Sequence, residues 1–196
     1  MAEISIESIK KLKELSGVGL TDAKKALVEA DGDFDKALKA MREKGLTKAE
    51  KRGDRETREG IIDAYIHDGR LGAIVEVNCE TSFVAKTDEF KTLAHQIAMQ
   101  IASMNPLYVS EADIPAAVKE AKMKELEANF KGPENMKEQI LEGQAKKAFS
   151  DKVLMNQPYI LDDSKTVEQF IKEAIAKTGE NITVKQFKRI ELGVTE

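Results

Sequence analysis

Residues 61–79, IIDAYIHDGRLGAIVEVNC, decide what kind of fold this chain can have. Ile62, Ala64 and Ile66 alternate along one run, and Ala73, Val75, Val77 and Cys79 alternate along the next. A period of two marks a strand, whose successive side chains point to opposite faces. Between the runs stands Asp68-Gly69, a pair suited to a tight turn whose two central residues both need positive φ. The stretch predicts a β-hairpin. From Thr87 the period becomes helical, with Phe90, Leu93, Ala94, Ile97, Ala98 and Ile101 on one face and Asn105-Pro106 as the stop.

Downstream the pattern stays helical. Pro115 stands at a first helical position after Asp113, opening a charged helix to about Phe130 that Gly132-Pro133 breaks. Met136, Ile140, Leu141, Ala148, Phe149 and Val153 mark another helix, broken at Gln157-Pro158. Val167, Phe170, Ile171, Ala174 and Ile175 give a last helix stopped by Gly179. Ile182 and Val184, then Ile190 and Leu192, suggest a closing strand. Residues 60–196 therefore read as an α+β core with a small, three-stranded antiparallel sheet packed on helices.

Upstream of the hairpin, residues 5–45 read as three short helices. Ser5 can cap the first, which sets Ile6, Ile9, Leu12 and Leu15 along one stripe. Gly17-Val18-Gly19 ends it, and a second helix after Thr21 turns Ala23, Ala26, Leu27 and Ala30 inward. Asp33 can cap a third, which buries Phe34, Ala37, Leu38 and Met41 and meets a stop at Gly45. Residues 1–46 are thus expected to form a three-helix bundle of the ubiquitin-associated type. Residues 47–59, TKAEKRGDRETRE, hold nine charges and no large apolar side chain. Such a segment reads as a charged linker or a solvated helix extension, and the domain boundary is placed there.

Composition narrows the function. Hydrophobic residues make up 41%, enough for a packed core. With 31 Lys and Arg against 35 Asp and Glu, the net charge is −4. A protein that neutralises many phosphates needs a basic face, so no nucleic-acid partner is expected. A single cysteine rules out an intramolecular disulfide and suits a reducing compartment. The start MAEISIESIKK lacks an apolar stretch of signal-peptide length. No segment approaches the ~20 apolar residues of a membrane span. A cytoplasmic protein without a membrane partner is expected.

No catalytic constellation can be assembled. His67 and His95 have no Cys or carboxylate at metal-ligand spacing, so no metal is expected. Cys79 lacks the cationic setting of a nucleophile and reads as a small buried hydrophobe. Gly17-Val18-Gly19 follows a helix rather than a strand, which makes it a helix–helix turn and not a phosphate loop. No cofactor, no small-molecule substrate and no enzymatic activity are expected.

The chemistry that remains lies at residues 76–86, Glu-Val-Asn-Cys-Glu-Thr-Ser-Phe-Val-Ala-Lys. Here a strand end runs into a short loop that holds two large apolar residues, Phe83 and Val84, flanked by Thr81, Ser82 and Lys86. Two readings stand side by side: both side chains fold back to cap the core, or Phe83 projects as an anchor for a partner's pocket.

These residues resemble EVNCETDFVAK, a signature of the elongation factor Ts family, at every position but one. Residues 12–27, LKELSGVGLTDAKKAL, resemble the family's N-terminal pattern, with Lys13 and Ser16 in place of the more usual Arg and Thr. Asn105-Pro106-Leu107-Tyr108-Val109, Gly132-Pro133-Glu134-Asn135, Gln157-Pro158-Tyr159, Lys165-Thr166-Val167, Ile182-Thr183-Val184-Lys185 and Glu191-Leu192-Gly193 continue the series in family order. The resemblance implies a guanine-nucleotide exchange factor that binds elongation factor Tu and promotes GDP release so that GTP can bind. It assigns Thr81, Ser82, Phe83 and Val84 to the segment that enters the partner near its Mg²⁺ site, with Ser82 where the family carries Asp. Leu20, Lys24 and Lys25 resemble the part that grips the partner's nucleotide domain. The short length is similar to that of family members with one half-core, which implies a homodimer. A rival reading makes residues 1–46 an interaction module without exchange activity, but it leaves 60–192 unexplained.

Overall fold

A computed structural model of the protein describes residues 4–16, 19–130, 132–133 and 136–194. Three helices open it: α1 (Ile6–Ser16), α2 (Leu20–Glu29) and α3 (Phe34–Glu50). The expected caps form, Ser5 Oγ accepting from the Ser8 amide at 3.0 Å and Asp33 Oδ1 from the Lys36 amide at 3.0 Å. Each helix packs on the other two. Leu12, Ala23, Ala26, Leu27, Ala30, Ala37 and Met41 form the buried cluster, with Ile9, Phe34 and Leu38 against it. The bundle is as expected, but the α1 stripe is not. Ile6 is 74% and Leu15 52% exposed, because residues three apart drift by about 60° per step round a helix of 3.6 residues per turn, so the stripe turns away from the core at its ends. Of the expected turn after α1, Gly17 and Val18 lie outside the described residues; Gly19 serves as the N-cap of α2.

Gly45 does not stop α3. The helix runs on to Glu50, and a Cβ at Gly45 would come within 3.3 Å of Ala176 Cβ. The glycine lets the helix press against a neighbour instead of ending it. Ala49 is buried to 2% exposure, and the Arg52 guanidinium donates to the Ile175 carbonyl at 3.1 Å. Asn181, itself 2% exposed, donates to the carbonyls of Gly53 at 3.1 Å and Arg55 at 2.8 Å. The charged segment therefore docks through Ala49, the Arg52 side chain and two backbone carbonyls, contacts that no count of large apolar side chains can anticipate. Two buried donors on one amide carry the attachment.

The hairpin follows as β1 (Glu59–His67) and β2 (Leu71–Cys79). Asp68 and Gly69 take φ of 49° and 65°, and the Arg70 amide donates to the His67 carbonyl at 3.0 Å, so the turn is built as the dipeptide requires. Then come a single helical turn α4 (Ser82–Ala85), the long α5 (Asp88–Met104), α6 (Ala116–Ala128), α7 (Lys137–Ser150), a ribbon of β3 (Pro158–Tyr159) and β4 (Asp162–Thr166), α8 (Val167–Thr178) and β5 (Ile182–Glu191). Sheet order is β1-β2-β5, with β3 and β4 pairing antiparallel as a separate two-stranded ribbon. The architecture is α+β.

Burial shows which face each pattern serves. Ala73, Val75, Val77 and Cys79 of β2 are at most 5% exposed, as are Phe90, Leu93, Ala94, Ile97, Ala98, Ile101 and Ala102 of α5. On β1 the alternating set faces out: Ile62 is 69% and Ile66 71% exposed. In β5 the inward parity slips, since Lys185 and Gln186 are both exposed after buried Ile182 and Val184. A one-residue slip exchanges the faces of everything beyond it, which leaves Ile190 74% exposed.

The chain divides into two compact units, one of residues 1–63, 76–95 and 169–185, the other of 64–75, 96–168 and 186–196. Within the second, Gln100 and Gln157 are each 1% exposed and fully bonded. Gln100 Nε2 donates to Gln157 Oε1 and to the Pro158 carbonyl, both at 3.1 Å. Gln157 Nε2 donates to the Met104 and Asp151 carbonyls at 3.2 and 2.8 Å, and the Ile160 amide donates to Gln100 Oε1 at 2.8 Å. Arg189 Nε donates to the Ala102 carbonyl at 3.0 Å, tying β5 to α5. Helices α6 and α7 pack on each other, and α6 buries no residue fully.

Candidate functional site: the exposed phenylalanine turn

Strand β2 ends at Cys79, which is fully buried and whose Sγ–H donates to the Thr81 carbonyl at 3.2 Å. Burial raises the pKa of this thiol, and the nearby Glu180 carboxylate raises it further, so the group stays protonated and unreactive. Thr81 is the N-cap of α4, extended at φ −129° and ψ 152°, with Oγ1 facing the Val84 amide at 3.5 Å. The Ala85 amide donates to the Thr81 carbonyl at 3.2 Å, closing one helical turn where the sequence suggests a loop. Thr87 then caps α5: its Oγ1 donates to the Val84 carbonyl at 2.8 Å and accepts from the Phe90 amide at 3.3 Å.

This turn carries Phe83, which is 84% exposed. Cys79, Ala85 and Phe90 on either side are sunk in the core, while Ser82 and Val84 are half-buried and Thr81 exposed. Of the two readings of the loop, folding back onto the core is excluded for Phe83 and half met by Val84. A side chain of this size, left in water, forgoes roughly 1.5–3 kcal/mol of burial. A single short turn, pinned at Ala85 and capped at both ends, holds it there.

Sequence reasoning missed the group behind the turn. Glu180, from the loop between α8 and β5, accepts the amides of Glu80 at 3.1 Å and Thr81 at 3.0 Å and the Thr81 hydroxyl at 2.6 Å. Its only sequence signal is an acidic residue just after a helix-ending glycine, and its partners lie about a hundred positions upstream. The other expected residues lie on α2. Leu20 is 50% exposed, and Lys24 and Lys25 are exposed beside it. With Val28, 55% exposed, Leu20 and Lys24 fall at i, i+4 and i+8 along one outward ridge, which borders the buried stripe of Ala23, Ala26, Leu27 and Ala30. Both segments belong to the same compact unit.

Among the described residues no group of three or more His, Cys, Asp or Glu could hold a metal ion, and no helix is long and apolar enough to cross a membrane. What the geometry offers is an apolar projection on a turn held at both ends. A family model described as elongation factor TS matches residues 7–194. The chain belongs to the elongation factor Ts family. Elongation factor Ts of Thermotoga sp. strain RQ2 is 52% identical over 193 residues, covering 97% of each chain. The Thermoanaerobacter sp. strain X514 protein is 48% identical over 194 residues, 97% of this chain and 95% of its own. That of Rippkaea orientalis is 49% identical over 199 residues, 98% of this chain and 80% of its own. As a member of the elongation factor Ts family, the protein is a translation elongation factor and acts in protein biosynthesis.

Proposed function

We propose that this protein binds elongation factor Tu carrying GDP and promotes GDP release so that GTP can bind, acting by binding and not by catalysis. The observation that carries the reading is Phe83, 84% exposed on a turn set between buried Cys79 and buried Ala85. A wedge that distorts the GTPase's phosphate and Mg²⁺ contacts weakens nucleotide binding, and nucleotide weakens the wedge equally, since coupling is reciprocal. Thr81, Ser82, Phe83 and Val84 form the entering segment, and the Leu20, Lys24 and Lys25 ridge grips the nucleotide domain. The setting is cytoplasmic. The test is release of a fluorescent GDP from elongation factor Tu with and without the protein; an unchanged rate sinks the proposal.

Ser82 supplies a sharper check. A carboxylate there would approach the partner's phosphate and Mg²⁺ region, whereas a hydroxyl has no net charge to act with. With the wedge as the working element, Ser82→Asp is expected to alter the rate of GDP release by less than about tenfold, ~1.4 kcal/mol. A larger gain at fixed Mg²⁺ assigns the work to charge instead.

The protein is further proposed to be a homodimer through its core. Ile66 (71% exposed), Ile74 (46%), Ile190 (74%) and Leu192 (61%) leave apolar side chains in water on strands β1, β2 and β5 and just beyond. Exposed apolar surface of this kind usually marks an interface. Light scattering at micromolar concentration is expected to give twice 21.7 kDa; a monomer's mass removes the claim.

The division of labour proposed is a gripping bundle at 1–46, a connecting segment at 47–59 and a core at 60–196. A chain beginning at Gly60 is expected to fold and to bind elongation factor Tu more weakly. If that chain is unfolded, the boundary is misplaced.

A further inference from the structure

We infer that Glu180 is the positioning residue of the Phe83 turn, an inference that rests on the proposed role of Phe83. β2 ends at Cys79 and α4 begins at Ser82, so the amides of Glu80 and Thr81 belong to neither element. Both point to Glu180 Oε2, at 3.1 and 3.0 Å, and the Thr81 hydroxyl donates to Oε1 at 2.6 Å. One carboxylate thus takes three donors, the arrangement in which an ionised acceptor is strongest.

The hydroxyl bond has a second effect. A threonine hydroxyl has one proton and two lone pairs. Giving the proton to Glu180 fixes the rotor and turns a lone pair toward the Val84 amide, 3.5 Å away. Glu180 therefore orients the cap, and the cap orients the turn in which Phe83 stands between Ser82 and Val84.

The support is itself braced. Glu80 returns the favour across the gap: its Oε1 accepts the Asn181 amide at 2.6 Å and lies 3.6 Å from Arg55 Nη1. Residues 80–81 and 180–181 exchange side-chain-to-backbone bonds in both directions, and Asn181 fastens the carbonyls of Gly53 and Arg55. The Phe83 turn is fixed from the α8–β5 loop, and the segment leaving α3 is fixed to the same loop.

The test uses the full-length protein as wild type, Glu180→Ala, Glu180→Gln, Phe83→Ala and the Glu180→Ala/Phe83→Ala double variant. Two quantities are read: amide hydrogen exchange at Glu80, Thr81 and Val84 in the free protein, and GDP release from elongation factor Tu. Glu180→Ala is expected to speed exchange at those amides at least tenfold, the effect of losing about one bond to a charged acceptor, while α5 amides stay protected. It should slow GDP release about tenfold in the wild-type background and less than twofold beside Phe83→Ala. Glu180→Gln keeps an acceptor oxygen for the two amides and should recover most of both effects. Unchanged exchange at the three amides in Glu180→Ala overturns the inference, as does an equal slowing with Phe83 already removed. If Phe83→Ala alone leaves GDP release unchanged, the proposed role of Phe83 fails, and faster exchange in Glu180→Ala still supports the positioning. Should Glu180→Ala lose α5 protection, Thr81→Val carries the test: it removes the hydroxyl link, and faster exchange at Val84 supports the inference where unchanged exchange overturns it.

Discussion

Phe83→Ala is expected to slow the stimulated release of GDP from elongation factor Tu by about 10- to 150-fold. The estimate is the burial that an aromatic side chain gains in a partner's pocket, roughly 1.5–3 kcal/mol, read as a rate through about 1.4 kcal/mol per decade. Most of that gain is available because Phe83 is 84% exposed in the free protein. For the same reason its removal costs the free protein little, and the thermal melt should move by no more than a degree or two. Stopped-flow release of a fluorescent GDP, alongside calorimetry, separates the two quantities. Unchanged release in Phe83→Ala removes the wedge.

Seven residues on, the same substitution should do the reverse. Phe90 is 1% exposed and begins the buried face of α5, and its amide is held by the Thr87 cap at 3.3 Å. Phe90→Ala leaves a cavity in a region that cannot collapse around it, at a cost of about 3–5 kcal/mol. For a chain of this size that lowers the melting temperature by roughly 6–20 °C. Release of GDP, measured well below the melt and corrected for folded fraction, should fall less than it does for Phe83→Ala. A Phe90→Ala protein that melts within 3 °C of wild type contradicts the burial argument.

The sequence was most legible where a periodic pattern and a turn signal agree. Asp68-Gly69 between two alternating runs could hardly be anything but a hairpin, and the α5 face from Phe90 to Ile101 is buried as its spacing requires. Periodicity names a set of residues without saying which side of the sheet they face. Ala73 to Cys79 are buried while Ile62 and Ile66 stand in water, because the two strands present opposite parities of their apolar residues to one core. Gly45 misled because a glycine that ends a helix and one that admits a neighbour look alike until Ala176, far along the chain, is in place. The ribbon of Pro158–Tyr159 with Asp162–Thr166 has too few residues to show a period. Phe83 itself could be found from sequence, but not its exposure. Glu180 could not be found at all, since its role is defined only by the backbone it meets.

That long reach has a consequence for how the protein is made. Thr81 and Glu180 are separated by 99 positions, and a ribosome adds about 5–20 residues each second. For about 5–20 s, then, every nascent copy has its phenylalanine turn synthesised and its carboxylate support not yet made. The α1–α3 bundle, whose bonds are local, can close early in that interval. The turn is set only once the α8–β5 loop has left the exit tunnel, so a chain truncated before residue 180 should carry its aromatic wedge unheld.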